Sequence, residues 1–411
     1  MEHAGTLERH QDQSTHSQQP TGSASFTKTC FNGLNALSGI GILSIPYTVA
    51  FSGWLNFILL LLVATICCYT GLLLRRCMDS DPVIKTYPDI GYRAFGKKGK
   101  AIVSFFIYLE LYLVAVEFLI LEGDNLNKLF PNTHFQVMGK RVGGKGFFVV
   151  LTAVAIMPTM WLRRLGLLAY ISASGVFASL LLVGSIFWVG AVDGVGFHER
   201  GEIWRWSGVL NAISMFTFCY CGHAVFPTLY TSMTHRRHFP KVLLITFVLC
   251  TISYGSMAVQ GYLMFGSNLM SQVTLNLPTR SLGSKIAIYT TLIGPITKYA
   301  IVVSPIAYVI EDTFPFQNRR SFSILLRTAL LMSTMVVALV LPYFGYVMAF
   351  TGSFLSISGS ILLPCLCYLK IFKAYQHLGP ELVLNGVLLV VGLIVAITGT
   401  YASLKNIVSH L

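Results

Sequence analysis

Ser38-Gly39-Ile40-Gly41-Ile42-Leu43-Ser44-Ile45-Pro46-Tyr47 interrupts the middle of an apolar stretch running from about residue 29 to residue 50. The two glycines weaken a helix there, and Pro46 removes a backbone donor. A second apolar stretch, near 208–231, carries a similar interruption: Cys219-Tyr220-Cys221-Gly222-His223-Ala224-Val225-Phe226-Pro227. In both, the proline follows the last glycine by five residues, Gly41 to Pro46 and Gly222 to Pro227. At membrane depth such a break persists only where protein buries it or where it lines a wet cavity.

The composition places both interruptions in a bilayer. Charged residues make up 11% of the 411 residues and apolar residues 54%, with a mean hydropathy of +0.68. Soluble domains carry about 25% charge, and so little charge cannot coat a globule of this size. The chain reads as an all-α integral membrane protein. Stretches of about twenty apolar residues fall near 29–50, 54–74, 101–127, 146–162, 165–190, 208–231, 240–265, 285–310, 323–341, 345–369 and 381–403. That makes about eleven transmembrane helices. No ten-residue alternation marks a β-barrel.

The expected organisation is a flexible cytosolic tail (1–25), a first five-helix repeat (26–190), a second (191–370), and an extra C-terminal helix with a short lumenal tail (371–411). Lys and Arg divide about 19 to 9 in favour of the side that holds the N-terminus, which reads as cytosolic. Spans one and six are then corresponding members of two halves. Matched interruptions in two halves point to a transport site at an inverted-repeat interface. Freed amides suit a carboxylate and freed carbonyls an ammonium, so a zwitterion fits. Close helix packing explains one such stretch equally well, but two at repeat-equivalent positions favour the site.

Several classes are disfavoured. The first twenty-five residues lack the features of a secretory signal. The nine cysteines sit inside or at the ends of apolar stretches, not in polar loops as a disulfide framework needs. The net charge of +13 fits basic loops better than nucleic-acid binding. Gly39-Ile40-Gly41 follows no strand, and Ser44 stands where a dinucleotide fingerprint has its third glycine. Cys219, Cys221 and His223 do not form a metal set, because alternate helical residues face apart. No cofactor or metal is expected. A membrane enzyme using His223 would need a nucleophile or acid nearby, which the adjacent sequence lacks.

At these two interruptions the chain resembles a known family. "GLNALSGIGILSIPYTVAFSGW" (33–54) and "CYCGHAVFPTLYTSM" (219–233) are similar to signatures of the amino acid/auxin permease family. Within it, the nearest likeness is the vacuolar amino acid transporter branch of plants and fungi, related to the vesicular inhibitory amino acid transporters. The resemblance runs from about Phe26 to the last span. It implies a LeuT-type 5+5 inverted repeat plus one helix, in the amino acid–polyamine–organocation superfamily. It also implies proton-coupled amino acid movement across a vacuolar membrane. Carried onto these residues, the substrate carboxylate meets Ser38, Gly39, Ile40, Gly41 and Ile42, and the ammonium meets carbonyls of Phe218, Cys219, Tyr220 and Cys221 beside Gly222. Asn35 braces the first break, and Tyr108 or Tyr112 closes over the substrate. Many plant relatives have a long acidic N-terminal tail where this one is short.

Charges inside the spans are the proton-coupling candidates. Lys298 lies at the centre of span eight, where a lysine costs about 2.5–3.5 kcal/mol. Sodium-coupled relatives hold a cation between spans one and eight, so the Lys298 ammonium is expected there, steadying the first break and releasing a proton during the cycle. A permanently charged strut is the alternative. Glu110, Glu117 and Asp124 recur every seven residues on one face of span three. Glu110 and Glu117 suit a proton path or a structural hydrogen bond equally. Glu122 reads as solvated near the far surface, and His223 as a proton sensor or a packing residue. The function expected is secondary transport of amino acids, neutral ones in particular. An amino acid sensor with little transport, a channel, or a carrier of another organic anion such as auxin are the competing readings.

Overall fold

The computed structural model describes residues 22–133, 135–137, 140–161, 168–313, 320–376 and 379–410. The tail up to residue 21 lies outside the described residues, as do Arg163, Arg164 and Arg319, three of the basic residues counted on the side of the N-terminus. Among the described residues, eight helices are long and apolar enough to cross a membrane. Continuous segments include α3 (Asn56–Asp79), α4 (Tyr87–Leu129), α6 (Leu168–Ala191) and α9 (Phe239–Phe265). They continue with α10 (Leu282–Thr313), α11 (Arg320–Val340), the run Phe344–Ile371 and α14 (Pro380–His410). A shorter apolar helix, α5 (Gly144–Met160), follows a three-residue antiparallel strand pair, β1 (Phe135–Val137) and β2 (Lys140–Val142). The two interrupted stretches each form a pair of short helices: α1 (Phe26–Leu37) with α2 (Ile45–Ser52), and α7 (Val209–Cys219) with α8 (Phe226–Ser232).

The outward faces are apolar: Leu61, Phe105, Phe177, Val390 and Ile397 are all exposed. Side chains of this type on a surface wet by water would form a patch no soluble monomer carries. Lipid is their solvent, and the chain is a multi-pass membrane protein.

Two departures from regular helix bear on the site. At 43 residues α4 exceeds one crossing, and it is bent at Phe95 and Gly96, where Gly96 has φ +64. Its first turns fold back on the rest, with Gly91 and Gly99 in backbone contact. The capping box of Thr86 and Asp89 starts it, Asp89 Oδ2 accepting from the Thr86 amide at 3.0 Å. The run Phe344–Ile371 comprises α12 (Phe344–Phe350), π-helical turns over Thr351–Ser356 and Ser358–Leu362, and α13 (Leu363–Ile371). π-turns widen a helix and recur at functional sites. Here the widened stretch, rich in serine and glycine, packs against α7, with Gly352 directly on the Ser214 carbonyl.

α9 packs equally on α1 and α2 and so backs both halves of the first interruption, while α10 packs chiefly on α6 and α4.

Candidate functional site

At the first interruption α1 stops at Leu37. The Ser38 amide donates to Leu34 O and the Gly39 amide to Leu37 O, a single 3-10 turn covers Ile40–Leu43, and α2 restarts at Ile45 with Pro46 in its first turn. Pro is tolerated there because first-turn amides have no intrahelical partner. At the second, α7 stops at Cys219 and α8 starts at Phe226 with Pro227 in its first turn. Each interruption frees the last carbonyls of one helix and the first amides of the next.

The two interruptions pack reciprocally. A Cβ on Gly41 would lie 2.5 Å from Cys219 Sγ, and one on Gly222 would lie 2.7 Å from Leu37 Cδ2. Each glycine therefore abuts the last helical residue of the other span. Tyr254 on α9 closes the pair: its hydroxyl lies 2.6 Å from Leu37 O and 3.0 Å from Cys219 O. Gly41 and Gly222 carry no side chain because none would fit.

Behind the first break lies a cavity of about 110 Å³ bounded by Ser38–Ile40, Ile42, Leu43, Phe118, α6 and α10, with Gly41 outside its lining. Ser38, Gly39, Ile40, Ile42 and Lys298 line it; Phe218–Gly222, Tyr108 and Tyr112 do not. The Lys298 ammonium reaches the end of α1, 3.3 Å from Asn35 O and 3.4 Å from Ser38 O. It donates to two freed carbonyls at a helix C-terminus, the end that favours a cation. Pro295, one turn before Lys298, has no amide hydrogen for the Thr291 carbonyl, which loosens α10 at the cavity wall. Asn35 Oδ1 is buried without a hydrogen-bond partner and occupies the space over Gly175, where a Cβ would be 1.9 Å away.

The acidic pair of α4 faces the other way, toward the π-helical stretch. Ser356 donates to Glu110 Oε1 at 2.5 Å and Thr351 to Glu117 Oε1 at 2.9 Å. Ser360 donates to Cys221 Sγ at 2.9 Å, which joins the second break to the same cluster. Both carboxyls are buried, neither forms an ion pair among the described residues, and Glu117 Oε2 has no partner. Asp124 belongs to a separate group, paired with Lys145 at 2.5 Å and accepting from Gln272 at 3.0 Å.

Other expectations meet the structure as follows. His223 is buried, 2.9 Å from Thr70 Oγ1, with Nδ1 unpartnered. The Tyr220 hydroxyl pairs with Thr251 at 2.8 Å, and the Tyr112 hydroxyl donates to Ser333 at 3.2 Å on α11. Tyr108 is half-buried against the core. Glu122 corrects its reading: it is 1% exposed, and neither carboxyl oxygen has a partner. Helix packing around α4 reaches beyond the depth at which a single apolar run would end. Arg327, counted with the loop charges, is likewise buried, 3.0 Å from Glu311 Oε1. Among the described residues no His, Cys, Asp or Glu cluster has a metal-binding arrangement.

Sequence reasoning missed Tyr254, Gly175 and the π-helical turns. Only the serine and glycine density of Thr351–Ser360 was a visible signal.

The family described as transmembrane amino acid transporter protein matches residues 22–405. The chain belongs to this family. Amino acid transporter AVT1J of Arabidopsis thaliana is 53% identical over 392 residues, covering 94% of this chain and 92% of the relative. Amino acid transporter AVT1I of the same plant is 52% identical, covering 94% and 96%. The vesicular inhibitory amino acid transporter of Xenopus laevis is 25% identical, covering 92% and 76%. The family and these members are transporters, not enzymes. The earlier resemblance therefore stands, and the two reciprocal breaks are features of a transmembrane amino acid transporter family member.

Proposed function

We propose that the chain is a secondary active carrier of amino acids, neutral ones in particular, working by alternating access and coupled to protons. The observation that carries this is the reciprocal packing of two mid-span breaks beside a cavity lined by the half-buried Lys298. The names of the relatives, amino acid transporter and vesicular inhibitory amino acid transporter, support the substrate class.

The eight long helices, α5 and the two broken spans together make eleven crossings, read as a LeuT-type 5+5 inverted repeat with α14 as the added helix. In this reading the amides of Ile40, Gly41 and Ile42 take the substrate carboxylate. Carbonyls of Tyr220 and Cys221 take the ammonium, while the Cys219 carbonyl is engaged by Tyr254 and that of Phe218 by the Cys221 amide. Neutral side chains suit breaks whose one ionisable base, His223, is already bonded to Thr70. Lys298, Glu110 and Glu117 are the proton-coupling groups, with Lys298 holding the first break and the acids bonded to the π-helical stretch that packs on the second. The charge asymmetry supports a cytosolic N-terminus, and the vesicular relative supports an internal, vacuolar membrane.

The test is purified protein in liposomes with imposed pH gradients of both signs and a panel of amino acids. Saturable uptake of neutral amino acids that follows the gradient is expected. Binding without flux would establish a sensor instead, and uptake of an organic anion in preference to amino acids would overturn the substrate assignment.

A further inference from the structure

We infer that Tyr254 is a positioning residue for transport, a strut that sets the separation of the two broken spans and so the geometry of substrate binding. The inference rests on the carrier reading above. Tyr254 is fully buried on α9, the helix that backs both α1 and α2. Its hydroxyl lies 2.6 Å from Leu37 O, at the end of α1, and 3.0 Å from Cys219 O, at the end of α7. Both are helix-terminal carbonyls; Leu37 O also accepts from the Gly39 amide at 2.6 Å, whereas Cys219 O has no backbone donor among the described residues. Tyr220, beside the second break, packs edge-on to the Tyr254 ring with centroids 5.3 Å apart, which fixes the hydroxyl's direction.

A phenol has one hydrogen to donate. Two carbonyls share it only while both stand within hydrogen-bonding range, so the shared bond exists in one relative placement of α1 and α7. That placement is also the one in which Gly41 abuts Cys219 and Gly222 abuts Leu37. When α1 and α7 separate during the cycle, the hydrogen stays with one carbonyl only; Leu37 O retains the Gly39 amide either way, so the cost falls on Cys219 O when it loses Tyr254. A buried carbonyl without a donor is costly, so Tyr254 biases the pair toward the closed arrangement without touching the substrate. Removing the hydroxyl leaves the binding geometry to be organised by the substrate itself. The loss therefore falls on affinity and not on turnover.

Tyr254→Phe keeps the ring and deletes only the shared donor. Tyr262→Phe is the control on the same helix: Tyr262 is equally buried, and its hydroxyl accepts from the Glu202 amide at 2.7 Å, about two turns beyond Tyr254. The variants are compared in liposomes for amino acid KM and maximal rate, and by mass spectrometry for the alkylation rate of Cys219 in the full-length protein. Expected for Tyr254→Phe are a KM raised about tenfold, the size of one buried hydrogen bond, a maximal rate within about twofold of the parent, and faster Cys219 alkylation that amino acid slows. Unchanged KM and unchanged Cys219 alkylation overturn the inference, as does an equal KM rise in Tyr262→Phe. If Tyr254→Phe does not fold, a ring-fluorinated tyrosine at the same position, a stronger donor of similar shape, is expected to lower KM, and a raised KM overturns the inference. A parent protein that moves no amino acid defeats the carrier reading instead, while Cys219 alkylation still reads the strut.

Discussion

Gly41 stands against Cys219 so closely that a β-carbon on the glycine would lie 2.5 Å from the sulfur and 3.3 Å from the cysteine Cα. The break in one span is thus seated on the end of the other. The sulfur is not at the tip of a long flexible chain, and the Cys219 carbonyl is tied to Tyr254. The contact cannot be relieved by a rotamer change alone.

Gly41→Ala is therefore expected to destabilise the fold by about 1–3 kcal/mol, the usual cost of overpacking a filled core. Thermal unfolding in detergent checks the stability, and uptake in liposomes is expected to fall more than stability does. A variant with parental stability and parental uptake would contradict the contact.

Gly175→Ala acts on the other side of the first break. Its Cβ would take the space of Asn35 Oδ1, 1.9 Å away, and displace Asn35 from the end of α1, where Lys298 is also bonded. Reduced amino acid uptake is expected, partly restored by pairing it with Asn35→Ala. Double-mutant uptake measurements check the coupling.

Lys298→Met removes the cation that donates to Asn35 O and Ser38 O. Hydrogen bonds from a charged donor are worth about 1.5–3 kcal/mol, so gradient-driven uptake is expected to fall about tenfold or more. Undiminished proton-coupled uptake would remove Lys298 from the coupling machinery.

Arg327 and Glu311 form a buried ion pair that Ser323 completes, its hydroxyl 2.5 Å from Glu311 Oε1. Arg327→Met leaves a buried carboxylate behind and is expected to cost about 3–5 kcal/mol, whereas replacing both partners by leucine is expected to cost far less. Thermal melts of the single and double variants distinguish the two.

In the exposed segment between α6 and α7, hydrogen bonds from Arg205 hold the Glu202 carboxyl below the usual carboxylate range. A lowered folded-state pKa contributes stability that is present above the unfolded pKa and lost as pH falls through the folded one. Glu202→Gln is thus expected to lower the melting temperature slightly at neutral pH and to match the parent once the pH is below the Glu202 pKa. Melting curves across that range check the sign.

The breaks were legible because glycine and proline act on their own backbone, and their spacing repeats in two spans. Membrane embedding was legible for a similar reason, since charge scarcity is a bulk property. Tyr254 was not, because nothing in its own helix shows that two other helices end opposite its hydroxyl. Gly175 was hidden likewise: one small residue in an apolar run, whose meaning comes from Asn35 on a distant helix. Lys298 drew attention through its cost in lipid, but its partners are main-chain carbonyls that no side-chain pattern encodes. Glu122 was misread because depth along one helix does not reveal what neighbouring helices cover.

The most direct measurement is counterflow: liposomes loaded with unlabelled neutral amino acid, external labelled amino acid, and either the parent protein or a folded Gly41→Val variant whose added bulk wedges the breaks apart. The account predicts saturable accumulation of label with the parent and its loss with the variant. Flux that does not saturate, or equal counterflow in the variant, would contradict paired helix breaks as the seat of the transported amino acid.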